Sequence, residues 1–473
     1  MSVPEKDLRV LVAGGGWAGC AAAVELARQG VQVTLVEAAR SLGGRARGVE
    51  VRGRMLDNGQ HILLGAYGDT LRLLRTVGVD PDTAMLRLPV QMRYPPGGTG
   101  MDFAAPRLPA PLHLLAALLR AKGLARADKL ALARFTTAAR WMGWQLYTDC
   151  PVAELLERFD QTGRLKRLLW GPLCIAALNT PPERASSQVF LAVLRDSLGA
   201  RRRRASDMLL PKLAMGALFP EAAAAFLGRK GAAVHTGVKL AGIAPAAGGR
   251  WTAQLSGEAP SDPVYDALVL ATPPWQSAAL LAPHAASRGL AAQLDGFGYE
   301  PIATCYLQYA SGTRLGLPFY ALEDDPAAGR WGQFVFDRGQ LDGAQDGLLA
   351  VVVSAAMDAA ALPQDALAAA IAGQLAQDFR NETLARPAWS QVITEKRATF
   401  SCSPGLVRPG NGTPLPGVVL AGDYTASDYP ATLETAVRSG VAAATAIRAY
   451  GTLPREKRSL SHADGAQESD SVR

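Results

Sequence analysis

Apolar positions along this chain follow two rhythms. Val10-Leu11-Val12-Ala13 is a short unbroken apolar run, the pattern of a strand covered on both faces, and Val31-Gln32-Val33-Thr34-Leu35-Val36 is a second one. Between them lie Gly14-Gly15-Gly16-Trp17-Ala18-Gly19 and an Ala-rich stretch of helical period that ends at Gly30. Residues 69–77 predict a helix stopped by Gly78, and Val90 to Phe103 predicts a hairpin turning at Pro95-Pro96-Gly97-Gly98. From Pro111 to about Leu198 the period is helical, broken at Pro151 and Pro181-Pro182. A helix pattern runs from Pro220 to about Gly231, followed by the run from Val234 to Leu240. Tyr265 to Ala271 predicts a strand that ends at Thr272-Pro273-Pro274. Residues 286–390 mix strands, Thr304 to Tyr309 and Leu348 to Ser354, with a helix from Gln364 to Phe379. A third buried run, Val418 to Ala421, ends in Gly422-Asp423, and a helix is expected to begin near Pro430, since Pro suits a first helical turn.

The segment from Arg9 to Glu37 has the layout of a dinucleotide-binding βαβ unit. Gly14 permits the tight turn out of the strand, Gly16 lets backbone amides approach a pyrophosphate, and Gly19 lets the helix pack on the sheet. The positive end of the helix dipole faces the phosphates. Glu37, ending the second strand, is placed to accept hydrogen bonds from a ribose. The expected ligand therefore contains adenosine diphosphate. Leu42-Gly43-Gly44-Arg45-Ala46-Arg47 follows, adding amides and guanidinium groups near the same phosphates. Such a segment just after the ribose acid resembles the two-dinucleotide-binding flavoproteins, which moves the expected cofactor from a nicotinamide to FAD. Amides at the start of the last helix suit the negative charge that builds on a reduced flavin, and Asp423 suits the ribityl or phosphate side. The cofactor-binding set is Gly14, Gly16, Trp17, Ala18, Gly19, Glu37, Gly43, Gly44, Arg45, Val238, Gly422, Asp423, Thr432 and Leu433.

The 473 residues exceed one ordinary core. The fold expected is α/β, an FAD-binding Rossmann-like domain with a discontinuous α+β substrate domain carrying a helical cap. Residues 1–75, 225–285 and 390–453 are assigned to the first, and 76–224 and 286–389 to the second, while 454–473, charged and Ser-rich, predict a disordered tail.

An apolar share of 49% suits a filled interior, and no run of 18 uncharged apolar residues predicts a membrane-spanning helix. The first strand starts within ten residues of Met1, so no cleaved signal peptide and a cytoplasmic location are expected. Five scattered cysteines and five separated histidines give neither a disulfide framework nor a metal site. The net charge is +7, with its sharpest cluster at Arg201 to Arg204 followed by Lys212, beside Met208-Leu209-Leu210. A solvated loop and contact with anionic lipid headgroups are both open readings. Leu112 to Leu132 likewise reads as core packing or as an amphipathic surface facing a membrane. No aromatic-interleaved basic motif points to nucleic acid.

Three separated segments resemble the amine oxidase and phytoene desaturase flavoproteins. Within that group, Leu56 to Tyr67, Trp170 to Thr180 and Ala421 to Glu434 look most like the hydroxysqualene dehydroxylases. The resemblance implies a long apolar isoprenoid substrate of squalene and hopanoid synthesis, whose allylic hydroxyl is replaced by hydride from reduced FAD. Hydroxide leaves poorly, so an acid must protonate it, and the allylic cation left behind needs a water-free apolar cavity. The acid candidates are Asp57, His61, Tyr424, Asp428 and Tyr429, of which Asp57, His61, Tyr424 and Tyr429 are assigned to the site. Bracing of its own loop by Asp57, core packing of His61 and simple packing of Tyr429 remain the alternatives. Competing functions are a polyene desaturase, a flavin amine oxidase and a flavin-bearing lipid accessory protein. No second nicotinamide-type G-x-G-x-x-G unit is present, so the reductant is unknown.

Overall fold

The computed structural model describes residues 8–96, 98–199, 202–258 and 263–454. Gly97, Arg201 and the tail beyond Pro454, all invoked above, lie outside the described residues. Along the chain, β1 (Arg9–Ala13), α1 (Trp17–Arg28) and β2 (Gln32–Glu37) form the βαβ unit. The helical block contains α2 (Leu112–Arg120), α3 (Arg126–Trp141), α4 (Gly171–Leu178) and α5 (Ser187–Ser197). Next come β3 (Ala233–Thr236), β4 (Ala267–Leu270), β5 (Tyr299–Gln308), β6 (Phe319–Ala321), β7 (Phe334–Asp337) and β8 (Leu348–Ser354). Then follow α6 (Gln364–Phe379), β9 (Trp389–Phe400), β10 (Val418–Leu420) and α7 (Leu433–Gly451).

The first sheet has the order β3-β2-β1-β4-β10 with every pair parallel. Parallel strands covered on both faces need apolar side chains in both directions, which is why β1, β4 and β10 read as unbroken apolar runs. Helix α1 is rich in small residues, and all of it from Trp17 to Ala27 is buried. The architecture of this part is α/β and Rossmann-like.

The second sheet is antiparallel, ordered β6-β7-β8-β5-β9. Its register places Phe319 opposite Phe336, Phe334 opposite Val352, and Ile302 opposite Ser354. Alternate positions, among them Cys305, Leu307, Val335, Val351 and Val353, pack with Leu367, Ile371 and Leu375 of α6. Both faces are apolar, so β8 also lacks a polar alternation.

Four boundaries differ from the pattern-based reading. β9 pairs along β5 from Trp389 to Phe400, so the chain leaves the second sheet after Phe400 rather than at 390. β5 starts at Tyr299, five residues early. The run from Val234 to Leu240 is split: β3 ends at Thr236, Gly237 turns with φ +72°, and Lys239–Ala246 joins a separate meander with Arg250–Ser256 and Val264–Tyr265. Helix α7 begins at Leu433, not at Pro430, because Thr432 caps it through Oγ1, which accepts from Thr435 N at 3.2 Å.

Candidate functional site

A cavity of about 900 Å³ runs from the carboxyl ends of β1, β2 and β4 to the helical block. Ligands of open α/β sheets bind at this end of the strands. Gly14 has φ +106°, and a Cβ there would lie 2.4 Å from Ala271 O. A Cβ on Gly19 would lie 1.9 Å from Gly14 O, so only glycine lets α1 start this close to the turn. Gly19 stands behind the cavity wall, whereas the other thirteen residues of the expected cofactor set line it.

Two loops are stitched together to make this wall. Gly43 N donates to Gly15 O at 2.8 Å, and Trp17 Nε1 donates to Ala46 O at 3.4 Å. The Glu37 carboxylate is fixed by Gly15 N at 2.7 Å and Ala39 N at 2.8 Å. Each carboxylate oxygen keeps acceptor capacity for a ribose hydroxyl. Val238 N donates to Glu37 O at 2.9 Å, which brings the strand after β3 to the rim. The third segment is joined to the second by Arg45, whose guanidinium reaches Asp423 Oδ1 at 2.6 Å and Ala398 O at 2.8 Å. At Gly16 an added Cβ would find its nearest neighbour, Gly44 Cα, 3.9 Å away. That open space between glycine backbones fits a pyrophosphate, and the groups around it fit FAD.

The acid candidates separate into two groups. His61 and Tyr424 line the cavity. His61 Nδ1 lies 3.0 Å from Gly59 O, an acceptor only, so Nδ1 carries the hydrogen and Nε2 the lone pair. Burial pulls the imidazole down to about 4, against a weaker opposite effect of the Gly59 carbonyl. Tyr424 is buried with its hydroxyl 3.2 Å from Ser277 Oγ, and burial raises its pKa well above the usual phenol range.

Asp57 is not among the residues that line the cavity. Its Oδ1 accepts from Met215 N at 2.8 Å, capping the short helix Met215–Leu218, and its backbone carbonyl accepts from Tyr306 Oη at 2.7 Å. Burial raises its pKa, with Met215 N–H and Arg338 opposing. Tyr429 is also outside the main cavity: its hydroxyl donates to Asp196, accepts from Arg195 Nη2 at 3.1 Å, and its ring lies under Arg438 at 4.8 Å. Asp428, three-quarters exposed, faces Arg195 rather than the cavity.

Five wall residues escaped the pattern reading. Asn58 Nδ2 bridges Arg45 O at 3.2 Å and Glu395 Oε2 at 3.3 Å. Gln60 is held by Tyr306 Oη at 2.8 Å and Arg338 Nη1 at 3.2 Å. Arg397 lies over Trp275, its guanidinium carbon 4.3 Å from the ring centroid. Glu395, Arg397 and Trp275 all border the cavity. Apolar side chains form much of the remaining wall, Leu114, Leu118, Leu132 and Leu173 from the cap and Ile302, Phe319, Phe334, Phe336 and Val352 from the second sheet, with Gln91, Thr136, Thr137, Arg140, Ser197 and Ser206 interspersed on the cap side. All five cysteines are buried and unpaired, and Cys402 lies off the cavity, its backbone N 3.0 Å from Thr180 Oγ1.

A dinucleotide cradle opening into an apolar chamber defines a flavin-dependent oxidoreductase. The chain belongs to the flavin-containing amine oxidoreductase family, whose model matches residues 17–448. It is 31% identical to a hydroxysqualene dehydroxylase of Rhodopseudomonas palustris over 93% of this chain and 99% of that protein. It is similar to the zeta-carotene desaturase of Zea mays only locally, 35% identical over 26% of this chain and 22% of that one. In fold it matches the cyclohexylamine oxidase of Brevibacterium oxydans with a TM-score of 0.65 and 19% identity, covering 93% of this chain and 98% of that one. The protein is an FAD-dependent oxidoreductase.

Proposed function

We propose that this enzyme removes the allylic hydroxyl of hydroxysqualene to give squalene, a step of triterpenoid and hopanoid synthesis. The observation that carries the reading is the continuity of the cavity: the dinucleotide end passes directly into a chamber walled by Leu and Phe side chains. Hydroxysqualene carries a single oxygen on a C30 hydrocarbon, and Leu, Ile, Val and Phe side chains supply much of the wall that would face that hydrocarbon. FAD, when bound, supplies the hydride.

The chain's own residues bind and orient the alcohol and exclude water. Leu114, Leu118, Leu132 and Leu173 of the cap and the three Phe rings of the second sheet hold the hydrocarbon arms. They also keep water from an allylic cation, which water would otherwise capture. At neutral pH His61 is uncharged, and its Nε2 lone pair accepts the hydrogen bond of the substrate hydroxyl and fixes the position of its oxygen. Tyr424 keeps its proton throughout the neutral range, because burial disfavours the phenolate, and donates a hydrogen bond to the departing oxygen without giving up that proton.

Anaerobic incubation of the FAD-reduced enzyme with hydroxysqualene tests the reading. Squalene formed in proportion to flavin reoxidised supports it. Unchanged hydroxysqualene, or consumption of phytoene by the oxidised enzyme, overturns it in favour of a polyene desaturase.

A further inference from the structure

Helix α2 has apolar residues on every side, in the sequence Leu-His-Leu-Leu-Ala-Ala-Leu-Leu-Arg. A helix apolar all round belongs inside a protein or in lipid. Only His113 and Ala117 are buried, while Leu112, Leu115 and Leu119 are 53%, 54% and 67% exposed. Their spacing of three and four puts them on one face, and Leu108 just before the helix is 38% exposed. Leu112 and Leu115 also line the cavity, so the cavity opens to the outside beneath this leucine face. Helix α3 adds Leu130, and ends on Trp141, which is 92% exposed. Trp is enriched where apolar and aqueous phases meet.

The charge around this face is of one sign. Between residues 107 and 140 stand seven cations, Arg107, Arg120, Lys122, Arg126, Lys129, Arg134 and Arg140, and a single acid, Asp128. Asp128 is buried and turned inward, accepting from Ala125 N at 2.8 Å and from Thr162 Oγ1 at 2.6 Å. This segment alone accounts for nearly all of the chain's net charge of +7. Among the described residues none of the seven cations makes an ion pair. Lys129 Nζ donates instead to Leu119 O at 2.8 Å, tying the cationic helix to the end of the leucine face.

We infer that this face docks on an anionic lipid bilayer, with the leucines of α2 in the acyl region, the surrounding cations at the headgroups, and the cavity opening toward the lipid. An apolar stripe alone is compatible with any apolar partner; the ring of unpaired cations selects a surface that is apolar beneath and negative above. No helix among the described residues is long and apolar enough to cross a membrane, so the contact lies in the interfacial plane.

The FAD-loaded, full-length protein is sedimented with vesicles of phosphatidylglycerol and phosphatidylcholine, and with vesicles of phosphatidylcholine alone. Binding is expected on the first and falls steeply between low and high salt. Neutralising three cations (R120Q/K122Q/R126Q) lowers the partition coefficient on the order of a hundredfold. Charging two leucines off the cavity wall (L108E/L119E) lowers it at least ~10-fold, since a carboxylate resists transfer into the acyl region. FAD content and melting temperature stay at wild-type values in both variants. Equal binding to both vesicle types, salt-independent binding by the wild type, or no binding overturns the inference. So does a vesicle-free dimer that either variant dissolves, which would make the face a contact between two copies. No arm reads turnover, so the outcome is separate from that of the substrate proposal.

Discussion

Arg45 Nη2 lies 2.6 Å from Asp423 Oδ1, joining residues 378 positions apart in the chain. Asp423 is nearly buried, while Arg45 is about two-fifths exposed. Burial lowers the Arg45 pKa, while Asp423, followed by Glu395 and Tyr299, raises it, so the net direction is upward. The pair closes the cavity wall between the second and third dinucleotide segments.

Asp423→Asn and Arg45→Met are expected each to weaken FAD binding on the order of tenfold, equivalent to about 1.4 kcal/mol. In a double-mutant cycle the coupling energy is about 1–2 kcal/mol, reduced from the value of a fully buried pair because Arg45 is partly solvated. FAD titration of the apoprotein, followed by flavin fluorescence, measures all four corners. Strictly additive effects would make the ion pair incidental to the cradle.

Gly16 and Gly19 should fail in different ways. Gly16 has φ −71°, a value open to any residue, and a Cβ there meets nothing nearer than 3.9 Å. Gly16→Ala is therefore expected to leave the apoprotein's melting temperature unchanged while FAD affinity falls at least ~10-fold, because the methyl fills the pyrophosphate space. Gly19→Ala drives a Cβ to 1.9 Å from Gly14 O, forcing α1 off the sheet at a cost of about 1–3 kcal/mol. Thermal denaturation of the two apoproteins beside FAD titration separates the cases. A Gly16→Ala protein that binds FAD normally would remove this turn from the phosphate site.

The βαβ unit was legible because each of its signals is local: strand, turn, helix and acid fall within thirty residues and follow from backbone geometry. The short strands β6 and β7 were not, since three or four residues cannot display a period. The site was half legible for a related reason. Asp57 ends the strand Arg54–Asp57 and His61 lies four residues further on, and the sequence marks the stretch without saying which side chain turns inward. That choice is made by Met215, 158 residues away, whose amide claims the Asp57 carboxylate. Tyr429 is likewise pulled aside by Asp196, 233 residues distant, on the helical block. Long-range partners of this kind leave no trace in local pattern.

The same contrast predicts kinetics. Asp57→Asn keeps an acceptor for Met215 N–H and lies off the cavity, so turnover should stay within about twofold of wild type. His61→Ala removes the group that orients the alcohol, and kcat is expected to fall about 10²-fold, the lower end of what a positioned proton-transfer or hydrogen-bonding group contributes. Flavin content is unchanged in both. Single-turnover reoxidation of the reduced enzyme by substrate reads the difference. A large loss in Asp57→Asn would return that carboxyl to the chemistry.

His61 also couples stability to pH. Its pKa lies near 4 in the folded protein and near the ordinary 6.5 in the unfolded chain, because burial disfavours the imidazolium. Between these values the unfolded state binds more protons, so stability is fully present above about 6.5 and is lost as pH falls toward 4. From pH 7 to pH 5 the loss attributable to this residue is about 2 kcal/mol. His113 and His284 are shifted down by burial as well and add to the same slope, so the wild-type profile alone does not isolate His61. The comparison with His61→Gln does, since glutamine keeps a hydrogen bond to Gly59 O but cannot take up a proton in this range. Urea unfolding of the two apoproteins at pH 5 and pH 7 gives four free energies. The difference between the pH 7 and pH 5 values should be smaller in the variant by about 2 kcal/mol. Equal pH dependence in both proteins would mean that His61 is solvated enough to titrate normally, which would remove the burial argued for it at the cavity wall.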